Sequence, residues 1–203
     1  MDEAALILAA KQGDLDAFNR LVLAYQDLVY SQAYRMMGEM ATAEDATQDA
    51  FIAAFRHLGS YRGGSFKAWL LRIVTNTCYD ELRRRKRRPT TALEPLDDDE
   101  EEVESPHWLA DPGESPEQAA ERAELAQALQ HCLGDLPAEF RSVVILVDIQ
   151  GLDYIEAAQA IGSPLGTVKS RLARARLRLR DCLQGFGELL PSSLRLVEEE
   201  SEA

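Results

Sequence analysis

Residues 162–183 constrain the fold most sharply. They read Gly-Ser-Pro-Leu-Gly-Thr-Val-Lys-Ser-Arg-Leu-Ala-Arg-Ala-Arg-Leu-Arg-Leu-Arg-Asp-Cys-Leu. Leu165, Val168, Leu172, Ala175, Leu179 and Leu183 recur at helical spacing, which predicts one apolar stripe along a helix. Ser163 is the expected N-cap, with Pro164 at the first helical position, where no amide partner is needed. Thr167, Ser170 and Arg174 lie opposite the stripe, flanked by Lys169, Arg171 and Arg178. Just upstream, Asp153 and Glu156 have the spacing of a capping box for a short helix through Ala160. Helix, Gly-containing turn and basic helix are the layout of a helix-turn-helix, whose second helix enters the DNA major groove. An ordinary helix hairpin with a solvated basic face has the same local pattern, so the rest of the chain must decide.

The net charge of −13 looks wrong for a nucleic-acid binder until it is divided along the chain. Residues 1–88 carry +2, residues 89–120 carry −11, residues 121–185 are neutral and residues 186–203 carry −4. The negative excess therefore sits in one linker and one tail. Residues 89–120 hold a run of six acidic side chains at 97–102 and five prolines, which predicts a flexible, self-repelling connection. The expected organisation is all-α: a helical domain over 1–88, an acidic linker over 89–116, a second helical domain with the helix-turn-helix over 117–185, and an acidic tail over 186–203. A short helical turn is expected in the tail near Leu194.

The first half reads as four helices. Residues 4–12 form a short one. Asp14 begins a second, with Phe18, Leu21, Val22, Tyr25, Leu28, Val29 and Met36 buried and Gly38 as its stop. Thr42 and Asp45 are expected to open the third as a capping box, with Ala46, Ala50, Phe51, Ala54, Phe55 and Leu58 inward. Glu44, Asp45, Gln48 and Asp49 gather near its start, where they suit either the helix dipole or a polar docking face for a basic partner. A long fourth helix begins after Ser65, with Phe66, Trp69, Leu70, Ile73, Thr77 and Leu82 facing a core. It runs into six consecutive basic residues at 83–88, more than a helix dipole needs, which suggests phosphate contacts. Tyr61, Trp69 and Tyr79 interleave with Arg62, Lys67 and Arg72, a mixture that suits unstacked bases. In the second half, Ser115 starts one helix and Leu136 opens another that continues to Gly151.

Several classes are disfavoured. No apolar run is long enough to span a bilayer, and the N-terminus lacks the basic start of a secretory signal, so a cytoplasmic protein is expected. Cys78, Cys132 and Cys182 are odd in number and contain no Cys-x-x-Cys pair. They read as reduced, apolar helix residues rather than a disulfide framework or a metal site. No catalytic triad or phosphate-binding glycine loop is present, and His57, His107 and His131 are scattered, so no enzymatic activity, cofactor or metal is expected. A stand-alone helix-turn-helix regulator is the alternative. It leaves the first domain unexplained, and no clear dimerisation helix is present for paired half-sites.

Four blocks together resemble the extracytoplasmic-function sigma factors of bacterial RNA polymerase, over about residues 10–88 and 117–184. They are Asp16-Ala-Phe-Asn-Arg-Leu-Val, Ala43-Glu-Asp-Ala-Thr-Gln-Asp-Ala-Phe, the segment from Phe66 to Arg85, and Leu136-Pro-Ala-Glu-Phe-Arg with residues 162–176. The resemblance implies that Glu44, Asp45, Gln48 and Asp49 dock on the polymerase clamp. It implies that Arg72, Asn76, Asp80, Arg83 and Arg84 belong to the minus-ten segment, with Asn76 near a pocket for a flipped base and Tyr61 beside it. It further implies that Lys169, Ser170, Arg171 and Arg174 contact the minus-thirty-five element while Thr167 holds phosphate. Core RNA polymerase, promoter DNA and an anti-sigma factor are the implied partners, and the free protein is expected to be a monomer. Asp49 stands where Glu is usual, and Ala173 is smaller than the residue often found there.

Overall fold

The computed structural model describes residues 2–87 and 115–189, apart from the side chains of Pro116 and Glu117. Most of the expected linker, and the tail turn near Leu194, lie outside the described residues. Among these the fold is all helical: α1 (Glu3–Lys11), α2 (Leu15–Met37), α3 (Met40–His57), α4 (Phe66–Arg87), α5 (Pro116–Gly134), α6 (Ala138–Val144), α7 (Tyr154–Ile161) and α8 (Leu165–Gln184). Short 3-10 turns follow α3 and α8, and a π turn, Ile145–Ile149, follows α6.

Local chemistry accounts for most of the boundaries. Asp2 and Asp14 cap α1 and α2 by accepting from Ala5 and Ala17, and Gly38 ends α2 at φ 85°. Only a residue without Cβ adopts that conformation at little cost. Ser115 and Gln118 form a reciprocal capping box at α5, as do Asp153 and Glu156 at α7. Helices α1 to α4 pack together as the first domain. Helices α5 to α8 form the second, with α8 lying on α6 and α7. The two domains share a continuous apolar core.

Hydrogen bonds of Arg141, Gln130, Lys67 and Tyr79 join the two domains. Arg141 Nη1 donates to the Met36 carbonyl at 2.5 Å and Gln130 to the Tyr34 carbonyl at 3.4 Å, both at the carbonyl-rich end of α2. Lys67 Nζ donates to the Gln150 carbonyl at 2.6 Å, and the Tyr79 and Ser142 hydroxyls lie 2.5 Å apart. Burial lowers the pKa of the Arg141 guanidinium, which is held by backbone carbonyls rather than a carboxylate.

Five expectations need correction. Helix α3 starts at Met40, with Glu39 in the N-cap position. Thr42 is buried inside the first turn, and its hydroxyl donates back to Glu39 at 2.9 Å, so it is not the cap. The helix expected from Leu136 to Gly151 is broken. Its α part ends at Val144 and opens into the π turn, which buries Ile145 and Leu146 while Asp148 meets α8. Pro164, not Ser163, is the N-cap of α8: its carbonyl accepts from the Thr167 and Val168 amides, while the Ser163 hydroxyl meets Arg171. Leu165 is 40 % exposed and lies off the buried stripe of Val168, Leu172, Ala175 and Leu179. Finally, Cys132 and Cys182 are not reduced apolar fillers but are joined as a disulfide, which only Cys78 escapes. Fifty residues separate them in sequence, and no spacing rule revealed that the ends of α5 and α8 converge.

Candidate nucleic-acid interface

Helix α4 presents its candidates in one line. Arg72, Asn76, Asp80 and Arg83 are spaced by four, four and three residues, which keeps them on one helical face, and all are exposed. Arg84 is exposed beside them. The inward face is Phe66, Leu70, Leu71, Val74, Thr75 and Cys78, rotated from the expected one, so Trp69 and Ile73 are only half-buried. The basic end is largely self-paired: Arg83 with Asp80 at 3.2 Å, Arg84 with Glu81 at 2.7 Å, and Arg85 with both Glu81 and Glu39. Arg72 has no side-chain partner among the described residues.

Tyr61 is placed differently from the other candidates. It is 8 % exposed, packed edge-on against Phe66 and near Trp69, and its hydroxyl donates to the Gly64 carbonyl at 2.6 Å. Lys11 donates to its carbonyl and sits over its ring. Tyr61 thus braces the loop before α4.

On α8 most cations already have partners. Lys169 Nζ lies 5.8 Å from the Tyr154 ring centroid, and Arg171 reaches the Ser163 hydroxyl at 3.4 Å. Arg176 grips Asp148 through two bonds at 2.6 and 2.9 Å, which raises its pKa. Arg178 lies over Phe140, and Arg180 pairs with Asp181. Arg174 is exposed and has no partner among the described residues, and Ser170 beside it is exposed too. Thr167 is half-buried in the first turn of α8, where free amides point outward.

Glu44, Asp45, Gln48 and Asp49 are all exposed on one side of α3. Beside them the structure reveals what the sequence reading missed: an apolar groove of about 590 Å³ between α2 and α3. Leu15, Phe18, Phe51, Ile52 and Phe55 line it, with Gln48 at its edge. Phe55 had been expected inward, yet it is 42 % exposed. An apolar residue at the margin of a buried stripe carries no signal that the neighbouring helix stops short of covering it.

The Sigma-70 region 2 family matches residues 21–88, and the Sigma-70 region 4 family matches residues 126–179. The chain is 42 % identical to the ECF RNA polymerase sigma factor SigE of Mycolicibacterium smegmatis, over 85 % of this chain and 63 % of that protein. It is 38 % identical to the RNA polymerase sigma-H factor of Pseudomonas aeruginosa, over 88 % of this chain and 92 % of that protein. Two solved structures share the fold. CnrH in complex with the cytosolic domain of CnrY has a TM-score of 0.62 at 28 % identity, covering 89 % of this chain and 96 % of that one. The sigma factor RpoE in complex with the anti-sigma factor NepR from Bartonella quintana has a TM-score of 0.61 at 30 % identity, covering 82 % and 96 %. With both regions matched in order, and the exposed α4 line and the α8 face carried by them, the chain belongs to the extracytoplasmic-function family of RNA polymerase sigma factors.

Proposed function

We propose that this sigma factor docks on core RNA polymerase through the acidic side of α3 and the adjoining apolar groove. It reads the minus-ten element with Arg72, Asn76, Asp80, Arg83 and Arg84, and the minus-thirty-five element with Thr167, Lys169, Ser170, Arg171 and Arg174. The observation that carries this reading is the pair of exposed faces, on α4 and α8, within one chain that matches both sigma regions. Asn76 suits a flipped base because its amide both donates and accepts. Unstacking that base costs a few kcal/mol, which edge contacts must offset. Tyr61 acts by bracing the loop rather than by stacking on the base. The protein itself carries out no catalytic step, and it works in the cytoplasm with an anti-sigma factor as regulator. Among the described residues no helix is long and apolar enough to cross a membrane.

The geometry adds a requirement. Helix α4 packs against α7, and α7 against α8, so only one short helix separates the two reading helices. Elements about 25 base pairs apart are separated by roughly 85 Å at 3.4 Å per pair. The domains therefore part when the promoter is engaged, breaking the four contacts of Lys67, Tyr79, Gln130 and Arg141.

In vitro transcription with bacterial core polymerase and a genomic fragment library tests the reading. New start sites sharing two upstream elements are expected. DNA retention without new starts removes polymerase docking through α3 and leaves a stand-alone helix-turn-helix regulator.

A further inference from the structure

Cys132 lies near the end of α5 and Cys182 two residues before the end of α8. Their disulfide ties the carboxyl-terminal part of the reading helix to α5, while the rest of α8 is packed on α6 and α7. At the same end His131 packs edge-on against Phe186, with centroids 5.8 Å apart. Helix α5 in turn touches the first domain through Gln130 and the Tyr34 carbonyl. The bond thus sits where the reading helix, the helix that follows the linker and the first domain converge.

We infer that Cys132 and Cys182 form a reversible redox site whose thiol state sets how firmly α8 holds minus-thirty-five DNA. This rests on α8 being the minus-thirty-five reader. Oxidised, α5 and α8 form one body and the last turns of α8 are held. Reduced, α5 is attached only by non-covalent packing and those turns fray.

The chemistry balances with an external dithiol. Its thiolate attacks Cys182 Sγ, the more accessible partner, since Cys182 is half-buried and Cys132 is 1 % exposed. The Sγ–Sγ bond breaks, Cys132 leaves as thiolate and takes a proton, and a mixed disulfide forms on Cys182. The second thiol of the reductant then displaces Cys182, which is released as a thiol, and the reductant ends as its own disulfide. Two electrons and two protons pass to the protein. Reoxidation runs the same steps backwards with a small-molecule disulfide such as oxidised glutathione. Cys78 does not compete, because it is enclosed in α4 and burial pushes its thiol up to about 12.

The test uses the full chain equilibrated either with dithiothreitol or with oxidised glutathione, with thiols counted by alkylation and mass spectrometry. Thermal melting and transcription with core polymerase from a genomic fragment library are read in both states. The oxidised form is expected to melt several degrees higher and to give at least threefold more transcript. The Cys132→Ser/Cys182→Ser variant should behave like the reduced form in both buffers. Equal melting and equal transcription in the two states would overturn the proposal, as would thiols that never pair or a bond that dithiothreitol cannot open in the folded protein. Melting that follows thiol state with equal transcript in both states overturns the link to minus-thirty-five binding, whereas no transcript in either state overturns the polymerase reading on which the proposal rests.

Discussion

Helices α4 and α8 are both basic, yet they hold their charge in different ways. On α4 the pairs are local: Arg83, Arg84 and Arg85 meet Asp80 and Glu81 three or four residues away, and only Arg85 reaches across to Glu39. Such exposed pairs contribute little, so phosphate can replace their partners at small cost. On α8, Arg176, Lys169 and Arg178 reach other elements, at Asp148, Tyr154 and Phe140, and so fix how the helix is rolled on its domain, while Arg180 pairs locally with Asp181. One helix is a reserve of exchangeable charge. The other is held on its domain by contacts to other elements and leaves Arg174 exposed without a partner among the described residues.

The sharpest way to break this comparison is to stop the two helices from parting. A short bismaleimide bridge between Tyr34→Cys and Gln130→Cys, both half-buried positions at the domain contact, should abolish transcription, while the unbridged double variant retains it. Full transcription with the bridge would show that the reading faces act without separating.

Arg174→Ala should cost about 1–3 kcal/mol, confined to one base position, if Arg174 reads a base edge. A uniform loss across sequences, measured by competition binding, would make it a phosphate contact instead. Asn76→Ala should impair strand opening, followed by permanganate reactivity, by about 1–2 kcal/mol and closed binding by less. Equal losses in both would remove the flipped-base role from α4.

Asp148→Asn frees Arg176 from its partner. If α8 pairs restrain charge, the salt dependence of DNA binding should steepen by about one phosphate contact. The smallest effect is expected at Glu39. Arg85, and then Thr42, hold its carboxyl below the ordinary 4.5 by hydrogen bonding. A lowered folded pKa adds stability that is present above the unfolded value and lost as pH falls through the folded one. Glu39 is mostly exposed, so Glu39→Gln should remove only about 0.5 kcal/mol and flatten the acid limb of the melting curve.

Local rules were enough where one residue decides. The helix starts at Asp14 and Ser115, the Gly38 stop and the capping box at Asp153 could all be read from neighbouring residues and are present in the structure. The exposed positions of Arg72, Asn76, Glu44, Gln48, Ser170 and Arg174 follow from helical period alone. Thr42 misled because a Thr can cap a helix or bond backwards within it, and Glu39 and Arg85 together favoured the second. The π turn at Ile145–Ile149 was hidden because an apolar run shows the same composition whether its hydrogen bonds skip four residues or five.

By itself the sequence determined the all-helical class, the order of the helices and the two basic faces, because hydrophobic period and capping act over a few residues. It also carried the family, through motifs that survive as local patterns. Only the tertiary structure decided that Cys132 meets Cys182, that Arg176 is spent on Asp148 while Arg174 is free, that Tyr61 is enclosed, and that α2 and α3 leave an apolar groove. Each of these depends on where one helix lies against another. That arrangement is set by the summed burial of many side chains, and no single stretch of sequence encodes it.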